Sequence, residues 1–238
     1  MPRAESLRDV LSRIPAFRDL DPRSLAELRA LARLRTFGPQ EVVFRQGDVG
    51  DGLFVIATGF LKVSFSGPTG TSTTLSVMGP SEMFGELSLL DGGPRSATVT
   101  AVTRAELLSI DREPFLKLFR SRPSVAIALV ELVARRLRRL SERSDDVSGL
   151  PVASRLAKQI LQLAESHAFR LAPSRVRLAI KLSQREMGEL VGTSRESVNK
   201  HLSRWKQKGI LDEDGGFLVV TDLEQLRAIA SSPNPSGE

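Results

Sequence analysis

Short apolar runs separated by turn residues occupy the chain between Thr36 and Ile110. They recur about every ten residues, and strands at that interval predict an antiparallel barrel or a roll of two sheets. The predicted strands are Val42–Phe44, Leu53–Ile56, Phe60–Phe65, Thr73–Val77, Ala97–Val102 and Ala105–Ile110. Ahead of them, residues 7–34 predict short helices that break near Pro15 and Pro22, with Asp21 as an N-cap.

A helical pattern follows the predicted strands, from about Ser124 to Ser144. Its apolar positions recur with spacings of 3, 4, 3 and 7 residues, at Val130, Val133, Leu137, Leu140 and Val147. Such a stripe either covers its own domain or pairs with a second helix. Because it is narrow and has arginines on both sides, it favours a second copy of the chain in a parallel dimer. We predict the dimer interface at Val130, Val133, Leu137 and Leu140.

The chain beyond this helix predicts a hinge and then a second, smaller domain. Asp145–Pro151 contains Ser, Gly and Pro without apolar periodicity, which indicates the hinge, and Val152–Ala168 predicts a helix. Ile210–Leu211 and Phe217–Val220 flank an Asp-Gly-Gly turn and predict a hairpin. Thr221–Ala230 predicts a last helix, and the final residues predict a disordered tail.

Residues 182–205 have the pattern of two helices joined by a tight turn. Ser183 and Glu186 have the spacing of a capping box, which starts the first helix. Gly192 permits the turn, and Ser194 is placed to cap the second helix. The inward positions of that second helix are Val198, Leu202 and Trp205. The segment therefore predicts a helix-turn-helix, and with the hairpin a winged one.

The exposed side of the second helix carries Arg195, Glu196, Asn199 and Lys200 near its N-terminus, where a recognition helix meets base edges. Arg can bond guanine through two donors, and Glu can accept from cytosine N4. Glu196 can also serve the helix as an N-terminal anion. The predicted DNA contacts are Ser183, Gln184, Thr193, Ser194, Arg195, Glu196, Asn199 and Lys200.

Charge supports that interpretation more through its distribution than through the net value of +6. Residues 154–208 contain twelve Lys or Arg and four Glu, a local net charge of +8. A local excess of this kind is typical of a protein that binds a polyanion. A face that is merely solvated usually mixes its signs.

Composition excludes several other classes. The chain has 238 residues, no Cys and two His, which argues against disulfides, iron–sulfur clusters, cysteine-ligated haem and a multi-histidine metal site. No run approaches the roughly 20 apolar residues that span a bilayer. We expect a cytoplasmic protein with no signal peptide. No arrangement of Ser, His and acidic residues suggests a catalytic site, so we do not expect an enzyme.

The segment Phe84–Thr98, here called the cassette, carries the most specific chemistry in the chain. Its glycine-rich turn has a carboxylate at Glu86 and a guanidinium followed by a hydroxyl at Arg95 and Ser96. Free N–H groups and Arg favour phosphate, whereas Glu is better suited to sugar hydroxyls. These residues predict a nucleotide site with one phosphate. In the alternative, the glycines only make turns, and Arg95 pairs with Glu86.

The cassette resembles the phosphate-binding segment of cyclic-nucleotide-binding domains, and the Gln46-Gly47-Asp48 segment followed by Gly59 resembles the glycine framework of the same roll. With the long helix and the winged helix-turn-helix, the chain resembles the cyclic AMP receptor protein and fumarate-nitrate-reductase regulator family over nearly its whole length. The resemblance implies an α+β protein: an N-terminal antiparallel β-roll, a long dimerisation helix and a C-terminal winged helix-turn-helix domain.

The resemblance also implies domain boundaries. The roll is expected over 1–123, the central helix over 124–146 and the hinge over 147–151. The DNA-binding domain is expected over 152–230, and the tail over 231–238.

The resemblance further implies roles for individual residues. Glu86 would bond the ribose, Arg95 and Ser96 the cyclic phosphate, and Leu75 and Met78 would lie beside the base. The full set of implied ligand contacts is Leu75, Met78, Gly85, Glu86, Leu87, Arg95, Ser96, Ala97, Leu140 and Ser141. The cyclic AMP branch has a Thr–Ser pair where this chain has Leu140–Ser141. Since Leu cannot hydrogen-bond, the adenine amino group loses a partner.

The predicted function is therefore a homodimeric transcription regulator that responds to cyclic AMP and binds palindromic TGTGA-like DNA. Alternatives are a regulator of the same fold that answers to cyclic GMP or cyclic di-GMP, or that is active without ligand. A further alternative is a regulatory subunit that controls an enzyme. The expected partners are double-stranded DNA, a second copy of the chain, a cyclic nucleotide and RNA polymerase, with no membrane.

Overall fold

The computed structural model describes residues 10–67, 72–172 and 174–232, with the side chains of 143–148 left aside. The chain divides into two compact units, Met1–Arg139 and Leu140–Glu238. This division falls inside the long helix, so that helix contributes residues to both units.

The first unit contains an antiparallel roll, as the spacing of apolar runs predicts. Its strands form two four-stranded sheets with the orders β1-β8-β3-β6 and β2-β7-β4-β5. The strands are β1 (Arg33–Phe37), β2 (Val42–Phe44), β3 (Gly52–Thr58), β4 (Leu61–Ser66), β5 (Ser72–Met78), β6 (Met83–Phe84), β7 (Thr98–Ala101) and β8 (Ala105–Asp111). The helices of this unit are α1 (Val10–Arg13), α2 (Pro22–Leu31), α3 (Glu86–Asp91) and α4 (Arg112–Ser121), followed by α5 (Pro123–Gly149).

Two apolar cores hold the roll. One includes Phe54, Ile56, Phe84 and Leu107, and the rings of Phe54 and Phe84 stack with centroids 5.3 Å apart. The other joins one sheet to the surrounding helices through residues such as Phe17 and Phe115. The predicted cap at Asp21 is confirmed, because its Oδ1 accepts the N–H groups of Arg23 and Ser24 at 3.0 Å. The predicted helical residues 7–9 lie outside the described residues.

Helix α5 has two apolar stripes that differ in exposure. Val125, Ala128 and Leu129 are buried in the core of the first unit. Ile127, Val130, Leu137 and Leu140 are 60–64% exposed. The predicted interface residues are therefore not those that cover the roll, although Val133 is only half-exposed. Ile127 extends the exposed stripe by one turn and was not among the predicted positions.

The break between the long helix and the next one is shorter than the predicted hinge. Helix α5 continues to Gly149, so 147–149 are helical and the break before the next helix is confined to Leu150 and Pro151. A lone Ser-Gly pair lowers helix propensity without ending a helix, whereas the residue before proline is pushed out of the helical region.

The second unit packs helices against a four-stranded sheet of order β11-β12-β10-β9. Its elements are α6 (Val152–Ser166), β9 (Ala168–Ala172), β10 (Arg175–Leu178), α7 (Gln184–Val191), α8 (Arg195–Gln207), β11 (Leu211–Asp214), β12 (Phe217–Val220) and α9 (Leu223–Ser231). The predicted hairpin is present as β11 and β12. Strands β9 and β10 were not predicted. Ser231, assigned to the tail, ends α9, and 233–238 lie outside the described residues.

Candidate functional site

The cassette begins with a turn that only glycine fits. Gly85 has a φ of 81°, and a Cβ at this residue would lie 2.6 Å from Nη1 of Arg95. The short helix α3 starts directly after it. With no side chain in the way, the Gly85 carbonyl accepts a hydrogen bond from Arg95 Nη1 at 3.1 Å. The turn and the guanidinium are thus brought together as the sequence predicts.

The loop between β2 and β3 holds the backbone of Arg95. The Arg95 N–H donates to the Asp48 carbonyl, and the Arg95 carbonyl accepts from Gly47 N, both at 2.8 Å. These are the residues whose pattern resembles the glycine framework of the roll. The two sequence regions that indicated a nucleotide site are therefore bonded to each other.

The Arg95 side chain is almost fully buried, with 2% of the residue exposed. Its Nη2 donates to Oδ1 of Asp51 at 3.0 Å, and its guanidinium carbon lies 4.2 Å from the centre of the Phe44 ring. Burial lowers the pKa of Arg95, and the carboxylates of Asp51, Asp48 and Glu86 partly offset this. Among the described residues, its buried Nε has no hydrogen-bond acceptor. An anion with several oxygens would supply one.

Glu86 is the second buried charge of the cassette, with 3% exposed. Its Oε1 accepts from Nη1 of Arg136 at 2.5 Å, and Arg136 also donates to the Met83 carbonyl. Arg136 belongs to the long helix α5, so this ion pair joins the cassette to that helix. The alternative in which Arg95 pairs with Glu86 is not what the structure shows, because each charge has its own partner.

Arg136 and Asp51 were not among the predicted site residues. The sequence separations are 50 residues for Glu86 with Arg136 and 44 for Arg95 with Asp51. The signal that could have indicated Arg136 is the requirement that a buried carboxylate find a cation.

The other predicted ligand residues of the first unit differ in exposure. Ala97 and Met78 are buried, Leu75 and Leu87 are 44% and 46% exposed, and Ser96 is exposed. Leu87, Ser96 and Ala97 directly follow the residues that make the turn and the ion pairs. Leu140 and Ser141 are exposed residues of the second unit. Their part in ligand binding stays a prediction.

The helix-turn-helix of the second unit has the predicted caps. Ser183 Oγ accepts from Glu186 N at 3.2 Å, and Glu186 Oε2 accepts from Ser183 N at 3.0 Å. Gly192 has a φ of 67°, which ends α7 and turns the chain. Ser194 Oγ accepts from Ser197 N at 3.2 Å and starts α8.

Helix α8 separates an apolar side from a polar one. Val198, Leu202 and Trp205 are buried. The exposed side carries the predicted contacts Arg195, Glu196, Asn199 and Lys200. His201 lies against the Trp205 ring, with centroids 5.9 Å apart, and burial, Lys200 and Arg204 lower its pKa. It packs on Trp205.

The predicted contacts Glu196, Gln184 and Asn199 already have partners within the protein. A hydrogen bond from its own backbone N–H, the Ser194 side chain and the charge of Arg195 lower the pKa of Glu196, so its carboxylate is ionised. Gln184, the first residue of α7, donates through Nε2 to Oδ1 of Asn199 at 3.0 Å. Thr193, by contrast, is half-buried in the turn.

The acidic strand β11 is neutralised by its neighbours. Its three acidic side chains, at 212–214, each form an ion pair with a basic one. The pairs are Asp212 with Arg175, Glu213 with Lys206, and Asp214 with Arg177. The hairpin of β11 and β12 therefore repels an anionic partner less strongly than its sequence alone suggests.

Comparisons with known proteins match both units. Residues 34–122 match the family model of the cyclic nucleotide-binding domain, and residues 154–229 match that of the Crp-like helix-turn-helix domain. The described residues contain no group of His, Cys, Asp and Glu that could hold a metal ion, and none of their helices is long and apolar enough to cross a membrane.

Relatives extend over nearly the whole chain. It is 35% identical over 218 residues to the CRP-like cAMP-activated global transcriptional regulator of Mycobacterium tuberculosis, covering 92% of this chain and 97% of that one. The catabolite activator protein of Thermus thermophilus has 34% identity and a TM-score of 0.53, covering 91% of this chain and 98% of the other. The c-di-GMP responsive regulator CLP of Xanthomonas campestris has the same fold at 23% identity, with a TM-score of 0.70 over 84% of this chain and 99% of the other.

Replacing Asp51 with Asn removes the carboxylate that balances the buried Arg95 guanidinium and keeps the side-chain shape. We expect the free energy of unfolding of the ligand-free protein to fall by about 1 kcal/mol, because the hydrogen bond loses its charge assistance. The loss is small because the Asp51 side chain is largely exposed. Urea unfolding followed by circular dichroism measures it. Asp19→Asn is the control, since its pair with Arg18 lies at the surface; an equal effect of both variants would contradict the expectation.

Proposed function

Because the chain belongs to the Crp family of transcription regulators and carries both a cyclic-nucleotide-binding and a helix-turn-helix domain, we propose that it is a homodimer that binds cyclic AMP and then binds palindromic TGTGA-like DNA. The observation that carries this proposal is the buried guanidinium of Arg95, which lies at the cassette turn and whose Nε has no hydrogen-bond partner among the described residues. A cation held in this way suits a phosphate.

The two buried charges suit different parts of the ligand. The cyclic phosphate would take the Nε of Arg95 and the exposed hydroxyl of Ser96. Glu86, which a phosphate would repel, would accept from the ribose 2′-hydroxyl. This arrangement suits one phosphate and one sugar, so cyclic di-GMP is the less favoured of the alternative ligands.

The pair of Glu86 and Arg136 offers a route from ligand to helix. A ribose hydroxyl that bonds Glu86 competes with, or adds to, its bond with Arg136 on α5. A ligand shifts a conformational equilibrium only through contacts that differ between the two states. This ion pair, which joins cassette and helix, is a contact that can differ.

Leu140 is the observation that favours a second candidate ligand. If it stands beside the base, it can neither donate nor accept, and adenine loses one side-chain partner. A buried amino group left unpaired costs about 1–3 kcal/mol, or roughly ten- to a hundredfold in affinity. Cyclic GMP, or DNA binding without ligand, is the alternative that this residue supports.

The remaining parts of the proposal follow from DNA binding. A regulator at a promoter acts on RNA polymerase, which we expect as a further partner. We expect the protein itself in the cytoplasm. The relatives named above are regulators, so no catalytic activity is proposed.

Arg95→Ala tests the ligand site. We expect cyclic AMP affinity to fall at least tenfold, because the charge-assisted bonds to the phosphate are lost. Isothermal titration calorimetry with cyclic AMP, cyclic GMP and cyclic di-GMP measures the affinity and ranks the nucleotides. Arg104→Ala, at an exposed arginine of the same unit, is the control. If Arg95→Ala binds as tightly as the wild type, the cassette is structural only.

DNA binding tests the regulator. Fluorescence anisotropy with a palindromic TGTGA duplex should show tight binding only with cyclic AMP, and affinity should fall steeply with salt because phosphate contacts release counterions. A scrambled duplex of the same composition is the control. Equal affinity with and without nucleotide would overturn ligand gating, and no preference over the scrambled duplex would overturn the TGTGA site.

The exposed stripe of α5 supports the dimer. Four apolar side chains that are 60–64% exposed on one side of a helix favour a second helix as their cover. We expect Val130→Glu with Leu137→Glu to give a monomer near 26.0 kDa in sedimentation equilibrium, because two buried carboxylates per helix would destabilise the pair. Arg138→Gln is the control, and a wild type that is itself monomeric would contradict the dimer.

A further inference from the structure

We propose that Gln184 fixes the amide of Asn199 so that Asn199 presents only hydrogen-bond donors to the DNA. The inference rests on the proposed function, since it concerns how the recognition helix α8 reads a base. It assigns Gln184 as a positioning residue and Asn199 as one that determines sequence preference.

The Asn199 amide oxygen is occupied from two sides. Gln184 Nε2 donates to Oδ1 of Asn199 at 3.0 Å, and Ser203 Oγ lies 3.4 Å from the same oxygen. A carbonyl oxygen has two lone pairs, and these two donors use both of them. The remaining polar group of Asn199 is its NH₂, which can only donate.

The position of Asn199 makes this polarity matter. It is exposed, one helical turn after Arg195 and three residues after Glu196, so the three residues share the side of α8 that carries the predicted base contacts. Glu196 is ionised and can only accept. Neighbouring positions on this face therefore have opposite hydrogen-bonding character.

A donor at this position selects against cytosine. In the major groove, guanine N7 and O6, thymine O4 and adenine N7 accept, whereas the cytosine amino group only donates. Asn commonly recognises adenine with both its oxygen and its nitrogen. Because the oxygen of Asn199 is engaged, that two-bond recognition is lost, and guanine or thymine becomes the preferred base.

Gln184→Glu tests this proposal because a carboxylate can accept but not donate. The Asn199 amide must then turn its NH₂ toward residue 184 and its oxygen toward the DNA. At one position of each half-site we expect the wild type to prefer guanine or thymine over cytosine. In Gln184→Glu we expect this preference to shift about tenfold towards cytosine or adenine. The readout is selection from a duplex library randomised over the half-site, using the full chain with cyclic AMP.

Two further variants keep the test decisive. Asn199→Asp, which also lacks donors, should change the preference at the same position and in the same direction. Gln207→Glu, at the exposed end of α8, introduces the same charge change and should lower affinity for all sequences without altering the preferred bases.

The outcomes separate this inference from the proposed function. If the wild type selects a half-site but both Gln184→Glu and Asn199→Asp select the same one, the inference is wrong and DNA recognition stands. If the wild type selects no sequence at all, the proposed function fails, and this inference fails with it.

Discussion

A guanidinium that is removed from water needs hydrogen-bond acceptors and an opposite charge, and this requirement shapes the roll around Arg95. The Gly85 carbonyl, the Asp51 carboxylate and the Phe44 ring come from three separate parts of the chain, and each contacts the same side chain. Burying an unbalanced charge costs several kcal/mol, so these parts constrain one another. These contacts fix the shape of the cassette turn.

A second buried charge, Glu86, follows the same rule but finds its partner on α5. The side chains that pair with these two buried charges differ in exposure. Asp51 has 81% of its side chain exposed, whereas Arg136 has only 33% of its side chain exposed. The carboxylate beside Arg95 therefore faces solvent, whereas the cation beside Glu86 is largely covered.

Local sequence patterns were sufficient to predict most helices and strands and to locate the candidate residues within them. The Asp21 cap, the Ser183–Glu186 capping box and the turn at Gly192 depend on residues within about four positions of each other, and the structure has all three. Strands β9 and β10 were missed because both are short, and Phe169 and Leu171 on β9 remain more than half exposed. The partners Asp51 and Arg136 lie outside any local window, since long-range pairing is decided by packing rather than by spacing.

The ion pairs of strand β11 change what the basic composition of the second unit means. Residues 154–208 carry twelve Lys or Arg, but Arg175, Arg177 and Lys206 are each engaged by an acid of β11. A cation that already has a carboxylate partner displaces fewer counterions when it meets a phosphate. The number of phosphates that this unit can neutralise is therefore smaller than its sequence charge suggests. Weak attraction to arbitrary DNA, which depends on that number, is correspondingly limited.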